Sequence, residues 1–268
     1  MRRLLAILTI CVGVIPATTV VASSPARAAN TPCAIHTRDA ASMATTVPTG
    51  HCTILSIGDS VGLDLGIGLA HELQGQQRLP VVSRGVVSTG LVHDSFYNWP
   101  AHLRTYLNQF RPDVVIVCVG ANDHSSMLVN GKWAPFLTPL WQQGYLARIT
   151  QIATMSSQAG AQVVWVGVPP SGSGGYRWQM ELMNKLYQRA MTHVANALYV
   201  VPGSRWTFPN GKVRPMVRVN GQLVQVRALD LIHYSPLGED VFACDVLRAI
   251  STTFNVALRP NYPASITD

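Results

Sequence analysis

From residue 53 onward, short runs of β-branched residues alternate with longer stretches that carry apolar residues at helical spacing. This alternation is typical of a parallel sheet whose strands are joined by covering helices. The predicted strands are Thr53 to Ile57, Val81 to Val86, Val114 to Val119, Val163 to Val168 and Leu198 to Val201. The predicted helices are Val61 to Leu73, Trp99 to Phe110, Leu140 to Ala159, Trp178 to Ala197 and Pro236 to Thr252.

Five strands and five helices in alternation predict an α/β protein with a flavodoxin-like three-layer α/β/α sandwich. Its five-stranded parallel sheet is expected in the order 2-1-3-4-5. Two segments interrupt the pattern: residues 124–138, a predicted loop, and residues 203–229, which contain Asn210-Gly211 and Asn220-Gly221. Because Asn-Gly is a strong hairpin signal, the second segment is predicted to be a β-ribbon excursion.

The N-terminus has the charged, apolar and small-residue parts of a secretory signal. Arg2 and Arg3 precede an apolar run, and Ala26-Arg27-Ala28 follows it. We expect residues 1–28 to be a cleaved signal peptide, residues 29–52 an N-terminal segment, and residues 53–268 one domain. A spanning helix needs roughly 18 consecutive apolar residues, and no later segment offers them. The expected protein is secreted, periplasmic or held in the cell envelope without stable membrane insertion. An uncleaved leader acting as an anchor is the alternative.

Composition excludes several function classes. The chain is 48% apolar and 12% charged, which suits one globular domain and argues against disorder. Its formal net charge is +7, and removing the three arginines of the leader leaves +4. The basic residues are scattered, so no nucleic-acid partner is expected. We expect a monomer, although the sequence leaves the oligomeric state open.

Four cysteines remain after the leader, and an oxidising compartment favours disulfides where geometry permits. We expect a bridge between Cys33 and Cys52, which would fasten the N-terminal segment to the first strand. Cys118 lies inside a predicted strand and Cys244 on a C-terminal helix face. Both are better explained as small buried apolar residues.

Polar residues follow the first three predicted strands. Ser60 comes three residues after the first strand, Asn122 three residues after the third, and Gly90 lies in the turn after the second. In a 2-1-3-4-5 sheet these strands are neighbours, and ligands bind beyond their C-terminal ends. The assumed topology therefore brings three distant pieces of sequence to one crevice.

A serine hydroxyl needs an imidazole to take its proton and an acid to orient that imidazole. Among eight histidines, His233 is the one with an aspartate three positions earlier, Asp230. The pair would lie in a turn before the last helix. An Asp-x-x-His spacing is common by itself. The position of this pair in the predicted fold makes His233 a candidate base, and Asp230 its orienter, for Ser60 as nucleophile.

The oxyanion formed on attack needs preorganised donors. The candidates are the backbone N–H groups of Ser60 and Gly90 and the side-chain amide of Asn122. Ser60 is also expected to cap the helix that starts at Val61, and a side chain at position 90 is expected to block the approach of substrate. Asp59 and Asp123 are expected to support these loops through backbone hydrogen bonds rather than act as acids.

These residues resemble the four sequence blocks of the SGNH or GDSL hydrolase family. The blocks are Gly58-Asp59-Ser60, Gly90, Gly120-Ala121-Asn122-Asp123 and Asp230-Leu231-Ile232-His233, in that order, and the resemblance covers residues 53 to about 252. It implies Ser60 as nucleophile, Gly90 and Asn122 as oxyanion donors, His233 as base and Asp230 as its orienter. Val61 replaces the leucine of the GDSL name. The segments 166–170 and 184–187 are similar to a bacterial envelope branch that acts on acylated polysaccharides.

Other residues carry weaker expectations. Val61, His124, Trp133 and Trp206 are possible pocket residues, and the tryptophans are explained nearly as well by core packing. His71-Glu72 and His93-Asp94 lack metal-ligand spacing, so no metal site is expected. The glycine-rich segment 171–175 lacks the Lys-Ser or Lys-Thr of a phosphate-binding loop and is interpreted as a mobile rim loop. Gly58 to Gly62 also fits Gly-x-Ser-x-Gly, which makes the α/β-hydrolase fold the rival host.

Three functions remain open at this point. The first is a serine esterase for short acyl, above all O-acetyl, esters on envelope saccharides or other small esters. The second is an O-acyltransferase with the same residues, in which a sugar hydroxyl replaces water. The third is a non-catalytic glycan-binding envelope protein. None of the three requires a metal or an organic cofactor.

Overall fold

The computed structural model describes residues 52–172, 174–201, 204–254 and 266–267. The main sheet has five parallel strands in the order β2-β1-β3-β6-β7, which is the predicted 2-1-3-4-5 arrangement. Its strands are β1 Ile54–Gly58, β2 Val81–Gly85, β3 Val114–Cys118, β6 Gln162–Val166 and β7 Ala197–Val200. The predicted signal peptide, residues 29–51 and Cys33 lie outside the described residues, so the bridge to buried Cys52 stays a prediction.

Five helices connect and cover the strands: α1 Ser60–Glu72, α2 Trp99–Phe110, α3 Pro139–Gln158, α4 Gly174–Met191 and α5 Pro236–Phe254. The alternating side chains of β3 show how the layers form. Val114, Ile116 and Cys118 join one buried cluster with residues of α1 and α5. Val115 and Val117 join the other with residues of α2, α3 and α4. Burial on both faces explains why β3 is continuously apolar.

Both interruptions form antiparallel hairpins that turn at Asn-Gly pairs. Strands β4 Met127–Val129 and β5 Lys132–Ala134 pair around Asn130-Gly131, in a segment that we expected to be a loop. Strands β8 Met216–Val219 and β9 Gln222–Gln225 pair around Asn220-Gly221, which confirms the β-ribbon. A short strand, β10 Ile266–Thr267, pairs with β8. None of the described helices is long and apolar enough to cross a membrane.

Helix α4 differs most from the prediction. It begins at Gly174 and ends at Met191, whereas the predicted helix ran from Trp178 to Ala197. Part of the expected rim loop is therefore the first turn of a helix. The predicted end was wrong because residues 192–196 turn, with Asn196 at φ +55°, and Ala197 already belongs to β7.

Candidate active site

The C-terminal end of β1 leads directly into a row of three polar side chains. Ser60 is the first residue of α1, and its Oγ lies 2.8 Å from Nε2 of His233. The other ring nitrogen of His233, Nδ1, lies 2.7 Å from Oδ2 of Asp230. If Asp230 accepts from Nδ1–H, Nε2 is left free to accept from the serine hydroxyl. The structure thus joins the three residues in one hydrogen-bonded row.

The turn from Asp230 to His233 is held by its own aspartate. Oδ1 of Asp230 accepts from the backbone N–H of Ile232 at 2.8 Å and of His233 at 3.0 Å, while Leu231 between them adopts a left-handed conformation with φ +58°. Burial opposes the charge of Asp230, but hydrogen bonds from the His233 ring and these backbone groups outweigh it and lower the pKa to about 2. Asp230 is therefore ionised at neutral pH.

A buried arginine lies behind this turn. Arg227 is fully buried, and its guanidinium donates to the carbonyl of Ile232 at 2.8 Å and to that of Pro170 at 2.9 Å. It also lies 4.0 Å above the ring of Tyr234, a cation–π contact. Sequence reasoning missed Arg227, because a charged residue in a ribbon is normally solvated and one of its two acceptors, the carbonyl of Pro170, comes from a distant segment.

Asp59 ties the end of β1 to the loop after β3. Its Oδ1 accepts from the N–H groups of Val61 and Gly62, and its Oδ2 from those of Gly120 and Ala121 at 2.8 and 2.7 Å. Asp59 is thus the N-cap of α1, and the expectation that Ser60 caps the helix was wrong. Since the Ser60 hydroxyl does not serve as the cap, it is left to contact His233. Burial raises the pKa of Asp59 to about 6 against these hydrogen bonds.

Asn122 and Gly90 lie on neighbouring loops. The side-chain amide of Asn122 donates to the carbonyl of Thr89 at 2.8 Å, which places it beside Gly90. A Cβ atom at position 90 would lie 2.0 Å from Oδ1 of Asp123. The crowding that favours glycine here comes from Asp123, and the expected approach of substrate to this backbone stays a prediction.

Asp123 is fully buried between these loops and α3. Its carboxyl oxygens accept from the N–H groups of Leu91 at 2.8 Å and Val92 at 3.0 Å, and Oδ2 lies 2.8 Å from the hydroxyl oxygen of Tyr145. Burial raises its pKa. The residue after Asn122 thus fixes the backbone that follows Gly90.

Comparison with sequence families gives one match of direct relevance. A family described as "Protein of unknown function (DUF459)" matches residues 53–249. The chain belongs to the DUF459 family. Comparison with curated protein sequences gave no match.

Several solved structures resemble this DUF459 protein. A GDSL-like lipase from Bacteroides thetaiotaomicron is 14% identical with a TM-score of 0.52, and the alignment covers 75% of this chain and 88% of that one. A catalytic mutant of Axe2, an acetylxylan esterase from Geobacillus stearothermophilus, is 15% identical with a TM-score of 0.52, with coverage of 81% and 100%. The predicted resemblance to SGNH and GDSL hydrolases is therefore confirmed in the fold.

The four possible pocket residues of the DUF459 protein separate into two groups. Val61 and Trp206 are fully buried, so the expectation that they line a pocket was wrong. Trp206 packs edge-on against Tyr234 and donates through its indole N–H to Asp245 at 3.1 Å, which makes it a core residue. His124 is exposed, with its ring edge-on to Tyr176 at 5.6 Å, and Trp133 is exposed on β5.

One group among the described residues could hold a metal ion: His71, Glu72 and Asp240. Sequence spacing did not indicate it because Asp240 comes from α5 and the others from the end of α1. His71 Nδ1 lies 2.7 Å from Asp240 Oδ1, an ion pair that explains the contact without a metal. With Ser60 at the other end of α1, about 16 Å away along a helix of this length, the group is separate from the serine site.

Proposed function

We propose that the protein is a secreted serine esterase that hydrolyses short acyl esters, O-acetyl esters in particular, on saccharides of the cell envelope. The observation that carries the proposal is the row from Ser60 Oγ through His233 to ionised Asp230, with both contacts at hydrogen-bond distance. Such a row activates a hydroxyl that is otherwise a poor nucleophile.

In the first half-reaction, Nε2 of His233 takes the proton of Ser60 as its Oγ attacks the ester carbonyl carbon. The carbonyl electron pair moves onto oxygen, where the N–H groups of Ser60 and Gly90 and the second N–H of the Asn122 amide are the donors. The N-terminal end of α1 favours the same negative charge. The tetrahedral adduct then expels the alcohol, which receives the proton from Nε2 and leaves an acyl group on Ser60.

In the second half-reaction, Nε2 removes a proton from water, the hydroxide attacks the acyl carbon, and Ser60 leaves with the proton. A sugar hydroxyl in place of water would make the same residues an acyltransferase. No step requires a metal or an organic cofactor.

Two features support the proposed substrate and the proposed location of the protein. The similar fold of an acetylxylan esterase supports an acyl saccharide as substrate. The leader-like residues 2–28 support export, after which substrates of the envelope are within reach.

The test is labelling with a serine-directed fluorophosphonate, followed by peptide mass spectrometry and a Ser60→Ala control. We expect one adduct, on Ser60, and release of free acetate from acetylated oligosaccharides. Absence of an adduct on Ser60 would favour the glycan-binding alternative. If an added oligosaccharide acceptor receives more acyl groups than water does, the protein is a transferase.

A further inference from the structure

Three buried oxygen contacts run in series from Asp123 to the end of β3. Oδ2 of Asp123 lies 2.8 Å from the hydroxyl of Tyr145, which lies 2.9 Å from the hydroxyl of Tyr187, which in turn lies 2.9 Å from the carbonyl oxygen of Val119. Asp123 and both tyrosines are fully buried. Each contact has the length of a hydrogen bond, so each requires one hydrogen between its two oxygens.

The two tyrosines supply only two hydrogens for these three contacts. If Asp123 is a carboxylate, Tyr145 donates to it, and Tyr187 has a single hydrogen for both Tyr145 and Val119. Two buried oxygens would then face each other without a proton, which is costly. A proton on Asp123 removes the shortfall, because the carboxyl donates to Tyr145, Tyr145 to Tyr187, and Tyr187 to Val119.

A second buried carboxyl lies nearby and has more donors. Asp59 and Asp123 are both fully buried. Asp59 accepts from four backbone N–H groups, whereas Asp123 accepts from two. Burial raises the pKa of Asp59 to about 6, so the choice of Asp123 rests on the hydrogen count, which involves Asp123 and not Asp59. Burial raises the pKa of Asp123, while hydrogen bonds to Leu91, Tyr145 and Val92 and the charge of His93 lower it by less. Burial also raises the pKa of Tyr145 and Tyr187, so both keep their hydrogens.

We propose that Asp123 carries a proton in the active protein, and that Tyr145 and Tyr187 are positioning residues that keep the proton there. The consequence for the reaction rests on the proposed function. Oδ1 of Asp123 lies 2.0 Å from the place that a Cβ atom of residue 90 would occupy. A carboxylate so close to this expected oxyanion donor would repel the developing negative charge. A neutral carboxyl still holds the N–H groups of Leu91 and Val92 but adds no charge.

The proton can be observed directly by carbon NMR of the protein labelled at its aspartate carboxyl carbons. At pH 7 we expect one signal at the position of a protonated carboxyl, and we expect Asp123→Asn to remove it. Tyr187→Phe should move this signal to the carboxylate position, because Tyr145 then has no acceptor except Asp123. Tyr176→Phe is the matched control, since its hydroxyl also donates to a backbone carbonyl, that of Ala121, but has no contact with Asp123.

Two results would overturn the proposal: an Asp123 signal at the carboxylate position at pH 7, or equal effects of Tyr187→Phe and Tyr176→Phe. If Asp123→Asn does not fold, the two tyrosine variants still assign the signal. Kinetics test the consequence separately. Tyr187→Phe should lower kcat on a soluble ester by roughly tenfold at pH 8, with little change in KM. As the pH rises, the variant should lose activity at a lower pH than the wild type, because its Asp123 loses the proton earlier. If the protein hydrolyses no ester, the proposed function fails while the NMR result still decides the protonation state.

Discussion

The guanidinium of Arg227 donates to the carbonyl oxygen of Ile232 at 2.8 Å, directly beside His233 in the chain. A buried cation thus supports the turn that presents the imidazole. It reaches at the same time to Pro170, in the loop after β6. The placement of His233 therefore depends on a residue that need not contact the substrate.

Replacing Arg227 with methionine should lower kcat more than it raises KM, because the carbonyls of Ile232 and Pro170 lose their donor and the turn shifts. We also expect a loss of about 2–3 kcal/mol in the free energy of unfolding. Kinetics and urea denaturation measure the two effects. Arg218→Met, on the exposed face of β8, is the matched control. If the two variants have the same kinetics and the same free energy of unfolding, Arg227 does not support the turn.

The row of Ser60, His233 and Asp230 predicts graded losses. His233→Ala should lower kcat by roughly 10⁴-fold or more, since no other group takes the serine proton. Asp230→Asn should lose less, because the base is still present although less well oriented. Both variants should fold, as judged by circular dichroism. Wild-type turnover in His233→Ala would refute the assignment of the base.

Position 90 should tolerate only glycine. In Gly90→Ala the added methyl group would lie 2.0 Å from a carboxyl oxygen of Asp123, so the loop must move and its N–H with it. Loss of one oxyanion donor typically costs about 10² to 10³ in kcat. Gly175→Ala, where an added Cβ meets nothing within 4 Å, is the control. Full activity of Gly90→Ala would exclude this loop from the oxyanion site.

Asp59 should matter for stability far more than an ordinary helix cap. Asp59→Ala leaves four backbone N–H groups without their acceptor, two of them in the loop after β3, and we expect a loss of about 3–5 kcal/mol. Asn98 caps α2 through one exposed hydrogen bond, so Asn98→Ala should cost only about 1 kcal/mol. Chemical denaturation compares the two. Similar losses would mean that Asp59 acts as a cap alone.

The fold was predictable because its signals are local and repeated. Alternating apolar runs identified all five strands of the main sheet, and the Asn-Gly turn at 220–221 identified the ribbon. Helix α4 was misplaced because apolar spacing continues past Met191 although the chain has already turned. The convergence of the loops that carry Ser60, Gly90 and Asn122 followed from the topology, since parallel strands place their C-terminal ends together. Asp230 and His233 were identified by their spacing and their position before the last helix.

The failures depend on contacts between distant segments. Asp59 and Ser60 are both good caps, and only the bend after β1 decides that Asp59 is the one used. Trp206 looked suitable for a pocket, but its burial depends on Tyr234 and Asp245, which are far along the chain. The roles of Arg227, Tyr145 and Tyr187 carried no sequence signal, because each acts through a partner from another element.

Ser60 and His233 are 173 positions apart, so the ribosome makes them at different times. Ser60 is synthesised early, whereas His233 is synthesised after every strand of the main sheet. During synthesis, no emerging fragment that stops before residue 233 contains both groups. The hydrogen-bonded row from Ser60 to Asp230 therefore cannot form until residue 233 has been made.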